Sequence, residues 1–228
     1  MSNEIITTKI KGIIIELFSK SFGESPKNVH VILDERCLVI RLERFMGEII
    51  EELILTNDYD ALRSTRELIL DFLLPDFLNQ LRNFSDLEFD SFYYDCDDNN
   101  LSGVITGLIK DNNYQNNEDY YPGKEKIHLQ ICKITYEVEK VPDFTYSFWA
   151  DKNTFVIVRE GLLIEIEKYL IRLDGENALR TAKRTLEKTR FIEDAYTSAI
   201  LNRRLAGIYL DWTFELDKSI LVYVFEEK

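Results

Sequence analysis

The sequence predicts a duplicated α+β protein, a helix, hairpin, helices, hairpin unit written twice, each copy a mainly antiparallel four-stranded sheet with helices on one face. Three observations predict it. Stretches with apolar residues at helical spacing alternate with short β-rich runs that meet across polar turns. The order of these stretches repeats in the second half of the chain. Particular residues recur at an offset of 116 to 117: Pro26 and Pro142 before a hairpin, Glu43 and Glu160 at its exit, and "ALR" at 61–63 and again at 178–180.

The first helix is expected over 4–22, where Ile6, Ile10, Ile13 and Leu17 share a face, with Gly23 and Pro26 stopping it. The next stretch is a hairpin. With "DERC" as its turn, Val29, Val31, Leu33 and Leu38, Ile40, Leu42 point the same way, because side chains alternate along a strand. Burying each would stabilise by roughly 1.5–3 kcal/mol, which fixes the register. A short helical segment follows around 46–55. A long helix over 59–83 contains Pro75, which is expected to kink or divide it. Strands near 87–95 and 101–109 flank the turn "DCDDNN" and close the first unit, residues 1–110. Residues 111–124, "DNNYQNNEDYYPGK", have the composition of a linker. The second unit, 125–228, repeats the order: a helix near 125–140, the hairpin around "FWADKNTFVIVREG" (148–161), a short helix near 161–172, a long one near 175–201, and strands near 206–215 and 219–226.

Composition narrows the class. With 45% hydrophobic residues, only 4 Pro and 9 Gly, the chain is expected to fold, and its longest apolar run, "LILDFLLPDFL" at 68–78, is too broken to span a membrane. The start, "MSNEIITTKIKG", lacks the basic-then-apolar order of a secretory signal, so a cytoplasmic location is expected. Cys37, Cys96 and Cys132 are odd in number and widely spaced, which fits reduced thiols better than a disulfide framework. A net charge of −13 argues against nucleic acid. The charge is uneven: residues 1–110 hold 11 Lys/Arg against 20 Asp/Glu, residues 125–228 hold 16 against 18.

Candidate chemistry is sparse. The acidic stretch "YYDCDDNN" with Asp95, Asp97 and Asp98 has Asn100 where a calcium loop needs Gly and Thr106 where it needs an acidic ligand, so it reads as a hairpin turn. His30 and His128 are the only histidines; His128 and Cys132 stand at i,i+4 with no third ligand in view. Glu51 with Glu52 and Glu165 with Glu167 read as exposed polar positions, and no glycine-rich phosphate loop is present. No metal, cofactor or catalytic residue is therefore called for. The helix "ALRTAKRTLEKTRFIEDA" carries Arg180, Lys183, Arg184, Lys188 and Arg190, with Arg203 and Arg204 beyond, the one concentrated basic stretch. It reads as a solvated face or as a docking surface for an acidic loop of a membrane partner or for anionic headgroups. In the second hairpin, Trp149, Val156 and Val158 are expected on one face and Tyr146, Phe148, Phe155 and Ile157 on the other. Tyr146, Phe148, Trp149 and Phe155 are thus candidates for contact between repeats, chains or subunits.

The element order resembles the MpsC family, component C of a sodium-translocating, membrane-potential-generating system. "SFGESP" (21–26) is similar to that family's exit from the first helix, and "DERCLVIRLERF" to its Asp-rich turn, Val-rich strand and Glu-Gly exit. "ADKNTFVIVREGLLIEIEK" (150–168) fits the pattern better, and "LDWTFELDKSILVYVF" (210–225) resembles the final hairpin, so the likeness covers nearly the whole chain as two copies. Ser25 stands where Gly is common, Arg44 replaces the exit Gly that the second copy keeps as Gly161, and "EKVP" ends the second copy's first helix without a Gly. The resemblance implies a non-catalytic accessory subunit of a bacterial membrane system concerned with cation flux, membrane potential and inorganic carbon uptake. Its partners would be the membrane subunits, or a second copy of the chain, met peripherally at the inner face of the plasma membrane. The rival readings are an anion-binding protein or enzyme, which needs converging carboxylates in a pocket, and a nucleic-acid binder, which needs the 178–204 cations to meet DNA.

Overall fold

A computed structural model describes residues 3–47, 59–97, 101–110 and 119–227. The chain divides into two compact units, 1–111 and 112–228. In the first, helix α1 (Asn3–Phe22) buries Ile6, Ile10, Ile13, Ile14, Leu17 and Phe18, a stripe with helical spacing. It ends at Gly23, whose φ of 77° is costly for any residue with a Cβ and whose N–H donates to the Ser19 carbonyl. Strands β1 (Asn28–Leu33) and β2 (Cys37–Glu43) pair Val29 with Leu42, Val31 with Ile40 and Leu33 with Leu38, the register expected from their alternation. Helix α2 (Tyr59–Arg82) and strands β3 (Phe89–Asp97) and β4 (Ser102–Ile109) complete an antiparallel sheet of order β1-β2-β4-β3. The expected segment at 46–55 and the middle of the turn at 98–100 lie largely outside the described residues.

Pro75 does not divide α2. The proline removes the donor for the carbonyl of Asp71, but both residues are exposed, so that carbonyl is open to solvent and its loss of a partner costs little. Burial of Leu70, Leu73, Phe77 and Leu81 on the other side carries the helix through.

The second unit has α3 (Lys124–Val138), β5 (Phe144–Trp149), β6 (Thr154–Glu160), α4 (Glu165–Arg172), α5 (Glu176–Glu193), α6 (Ala195–Leu201), β7 (Leu205–Thr213) and β8 (Lys218–Phe225), with sheet order β5-β6-β8-β7. Here the long helix expected over 175–201 is the one that breaks. Asp194 accepts the backbone N–H groups of Tyr196 and Thr197 and the Thr197 hydroxyl, so its side chain caps a new helix where the sequence pattern shows no interruption.

The duplication extends to single hydrogen bonds. Arg44 N–H donates to the Leu101 carbonyl as Gly161 N–H does to that of Asp217; Lys27 meets Glu43 as Asp143 meets Glu160; Lys110 meets Glu88 as Glu226 meets Arg204. The bulge between Phe89 and Ser91 recurs between Leu205 and Gly207. Both members of two matched pairs, Arg44 with Gly161 and Leu101 with Asp217, have positive φ.

In β5 and β6 the register pairs Trp149 with Phe155 and Phe148 with Val156. Trp149, Phe155 and Ile157 therefore share the helix-covered face, and Tyr146, Phe148, Val156 and Val158 the other, which corrects the face assignment expected from sequence. The four-residue turn from Ala150 to Asn153 sets which residues stand opposite, and that cannot be counted from alternation within either strand alone.

Candidate functional site

Helix α5 turns toward the core the stripe Leu179, Lys183, Arg184, Glu187 and Phe191, apolar at its ends and charged in the middle. The charged middle is met by charges from four other elements. From β6, Arg159 is fully buried and forks onto the fully buried Glu187 carboxylate, Nη1 to Oε1 and Nη2 to Oε2, the second at 3.2 Å. Its Nε donates to Ser219 Oγ at 2.9 Å and Nη1 to Thr135 Oγ1 at 2.7 Å, while the guanidinium lies over the Phe191 ring. Lys183 sits between two carboxylates: Glu139, at the end of α3, and Glu167 of α4 at 3.1 Å. Glu167 Oε2 also accepts the Ile164 N–H at 2.9 Å, capping α4. From β7, Asp211 accepts from Arg180 and Arg184, and Arg180 also donates to the Trp212 carbonyl.

This arrangement corrects the reading of Arg180, Lys183, Arg184, Lys188 and Arg190 as one basic surface. Lys183 and Arg184 are 3% and 4% exposed, Arg180 is committed to Asp211 and Glu176, and Lys188 lies over the Tyr209 ring. Only Arg190 of the five is exposed. Lys183 and Glu187 stand at i,i+4 but pair elsewhere, Lys183 with Glu139 and Glu167 and Glu187 with Arg159, because each has a better-placed partner across the core. Glu167, expected at the surface, is buried, whereas Glu165 is exposed; Glu51 and Glu52 lie outside the described residues. Arg203 and Arg204 act on two hairpins: Arg203 bonds Asn153 and the Lys152 carbonyl in the β5–β6 turn and lies over the Trp149 ring, and Arg204 meets Glu226 at the open end of β7 and β8.

Burial pushes the Glu139 carboxyl up to about 7; the charge of Glu187 adds to the rise and Lys183 and Arg159 oppose it. Its Oε1 has no hydrogen-bond partner among the described residues.

Of the aromatic candidates, Phe155 and Trp149 join the core of the second unit itself. Phe155 packs against Tyr121, Trp149 and Tyr223, with ring centroids 4.9–6.4 Å apart. Tyr146 and Phe148, stacked on the opposite face, are 3% and 1% exposed in the single chain, so neither is at its surface.

A Ser-His contact, invisible in the sequence because 19 residues separate its members, joins His128 Nε2 to Ser147 Oγ at 2.7 Å, with Tyr121 Oη at 2.6 Å from the same oxygen. Ser147 is wholly buried, which closes it to a substrate and leaves it as a tie between α3, β5 and the segment before α3. Cys132, one turn on, lies 3.9 Å from Thr145 Oγ1. His30 stands on β1 opposite Arg41. Among the described residues no three His, Cys, Asp or Glu side chains gather as a metal site, and no helix is long and apolar enough to cross a membrane.

The profile of a family described as "Na+-translocating membrane potential-generating system (MpsC)" matches residues 2–110. No curated protein and no solved structure matches the chain. The match falls on the first unit; the second copy, expected from the sequence to fit the family's pattern better, is not shown to match it.

Proposed function

Because residues 2–110 belong to the MpsC family, we propose that this protein is a non-catalytic accessory or regulatory subunit of a bacterial membrane system that generates membrane potential by sodium translocation and supports uptake of inorganic carbon as CO2 or bicarbonate. The family match carries the reading. The arrangement of charge in the second unit is in keeping with it: the acids and bases there are spent on one another inside a sealed core, so they are placed to hold structure rather than to receive a substrate. With no spanning helix among the described residues, the protein would meet its integral partners peripherally, at the inner face of the plasma membrane.

The test is affinity capture of the full chain from its native membrane fraction, paired with deletion of its gene. Recovery of an integral membrane subunit, together with loss of sodium-dependent membrane potential and slower growth at ambient CO2 in the deletion, is expected. Recovery of soluble proteins alone, with potential and growth unchanged, would refute the reading. Normal growth with lost potential would refute only the carbon branch.

A further inference from the structure

Five charges meet in one sealed cluster of the second unit: Glu139 at the end of α3, Glu167 on α4, Lys183 and Glu187 on α5, and Arg159 on β6. The side chains are 10% exposed or less. Three are acids and two are bases. A buried cluster with an uncompensated charge is expensive, and the least costly remedy is to hold one proton. The hydrogen bonds identify its seat. Both oxygens of Glu187 are taken by Arg159, and both of Glu167 by Lys183 and the Ile164 N–H. Glu139 alone has oxygens without a hydrogen-bond partner among the described residues, its Oε2 meeting Lys183 as an ion pair and its Oε1 meeting nothing. The remaining neighbours do not change the count. Asp211 on β7 and Glu176 at the start of α5 together balance Arg180 and Arg184, two acids against two bases; β8 offers the Ser219 hydroxyl and the phenol of Tyr223, which burial keeps neutral; and Asp194 caps α6.

We infer that Glu139, Lys183 and Glu167 form a proton-operated latch on α4. With Glu139 protonated, Lys183 is held by Glu167 alone and fixes the capped first turn of α4. With Glu139 ionised, two carboxylates compete for one ammonium and the hold on α4 weakens. The shift of Glu139 to about 7 places the change within the physiological range. What the latch governs is the presentation of Ile166, Tyr169, Leu170 and Leu173, which recur at helical spacing on the outer side of α4 and its end and are 38–73% exposed. The inference stands apart from the proposed membrane role, since it concerns this unit's own protonation.

Two measurements on the full chain test it. The side-chain carboxyl carbon of Glu139 is followed by NMR across pH 4 to 9, and the hydrogen-exchange protection factors of α4 amides are compared at pH 6 and pH 8. Titration near neutrality is expected, with several-fold higher protection of α4 at pH 6. Glu139→Gln should keep the high protection at both values, and Glu167→Gln the low one. An ordinary acidic titration of Glu139, equal α4 protection at both pH values in the wild type, or a persistent pH dependence in Glu139→Gln would each overturn the latch. If neither variant folds, the wild-type titration and exchange decide alone.

Discussion

At matched positions the two units fill the space beneath their sheets with opposite chemistry. In the first, Phe18, Leu42 and Leu70 are at most 1% exposed, and the Phe45 ring lies against Gly103. In the second, 116 or 117 residues on, stand Thr135, Arg159, Glu187 and Ser219, all fully buried and joined to one another through the Arg159 guanidinium. The strand pairings, the bulge and the connecting hydrogen bonds are nevertheless shared. The lesson is that this fold is held by its register and turns, and that its core accepts either apolar contacts or a fully satisfied ion pair. The two solutions fail differently. An apolar core loses stability in proportion to what is removed, whereas a buried ion pair loses most when one half is left behind.

That contrast can be broken most sharply at Glu187. Replacing it by Ala leaves Arg159 charged and buried, and should cost about 3–5 kcal/mol. Both tryptophans, Trp149 and Trp212, belong to the second unit, so denaturant unfolding followed by tryptophan fluorescence reads it directly. A loss under about 1 kcal/mol would show that the pair is not what holds this core. Converting both members, Arg159→Leu with Glu187→Leu, should restore stability to the wild-type value or exceed it by about 1–4 kcal/mol, because the desolvation cost disappears with the charges. In the first unit, Gly103→Ala would set a Cβ 3.0 Å from the Phe45 ring and should cost about 1–3 kcal/mol, read by hydrogen exchange in β4. Its counterpart Ser219→Ala, which only removes an acceptor for Arg159, should cost roughly 1–3 kcal/mol in the second unit, where no neighbour is crowded.

The pH dependence should separate the units as well. The Glu139 carboxyl, ordinarily near 4.5 and raised to about 7, binds more protons folded than unfolded between those values. The second unit therefore loses stability as pH rises from about 4.5 to 7, keeps that lower value above it, and is relieved of this slope by Glu139→Gln. The first unit should show no matching slope in the difference between wild type and variant. The smallest effect belongs to the exit of the first hairpin. Arg44 holds a φ of 44° where the second unit has Gly161, so Arg44→Gly should stabilise by roughly 1 kcal/mol. Gly161→Arg should destabilise, since a side chain there meets Asp143.

Much of the fold was legible. Alternation in β1 and β2 was enough for their register, because the six apolar residues from Val29 to Leu42 bury together in only one pairing. Gly23 marked the end of α1 by the conformation it alone takes easily. The helix punctuation was only partly legible where a local signal met a tertiary one: Pro75 does not divide α2, which the buried row around Leu73 and Phe77 carries through, and the Asp194 break left no trace in periodicity. The site was legible only as composition. Arg180, Lys183, Arg184 and Lys188 were visible as a basic stretch, but a basic residue at helical spacing looks the same whether it faces water or an acid across the core. The partners of Lys183 and Arg159 stand 16 to 44 residues away in the chain.

By itself, the sequence determined the duplication, the α+β class, the hairpin register of the first unit and its family, because these rest on periodicities and local backbone preferences that each segment carries within itself. Only the tertiary structure decided that Arg159, Glu167, Lys183, Arg184 and Glu187 face inward, that Trp149 shares a face with Phe155, and that three carboxylates meet two cations in one cluster with Glu139. Those outcomes depend on which groups lose their water together, and desolvation is a property of the folded neighbourhood rather than of any residue in it.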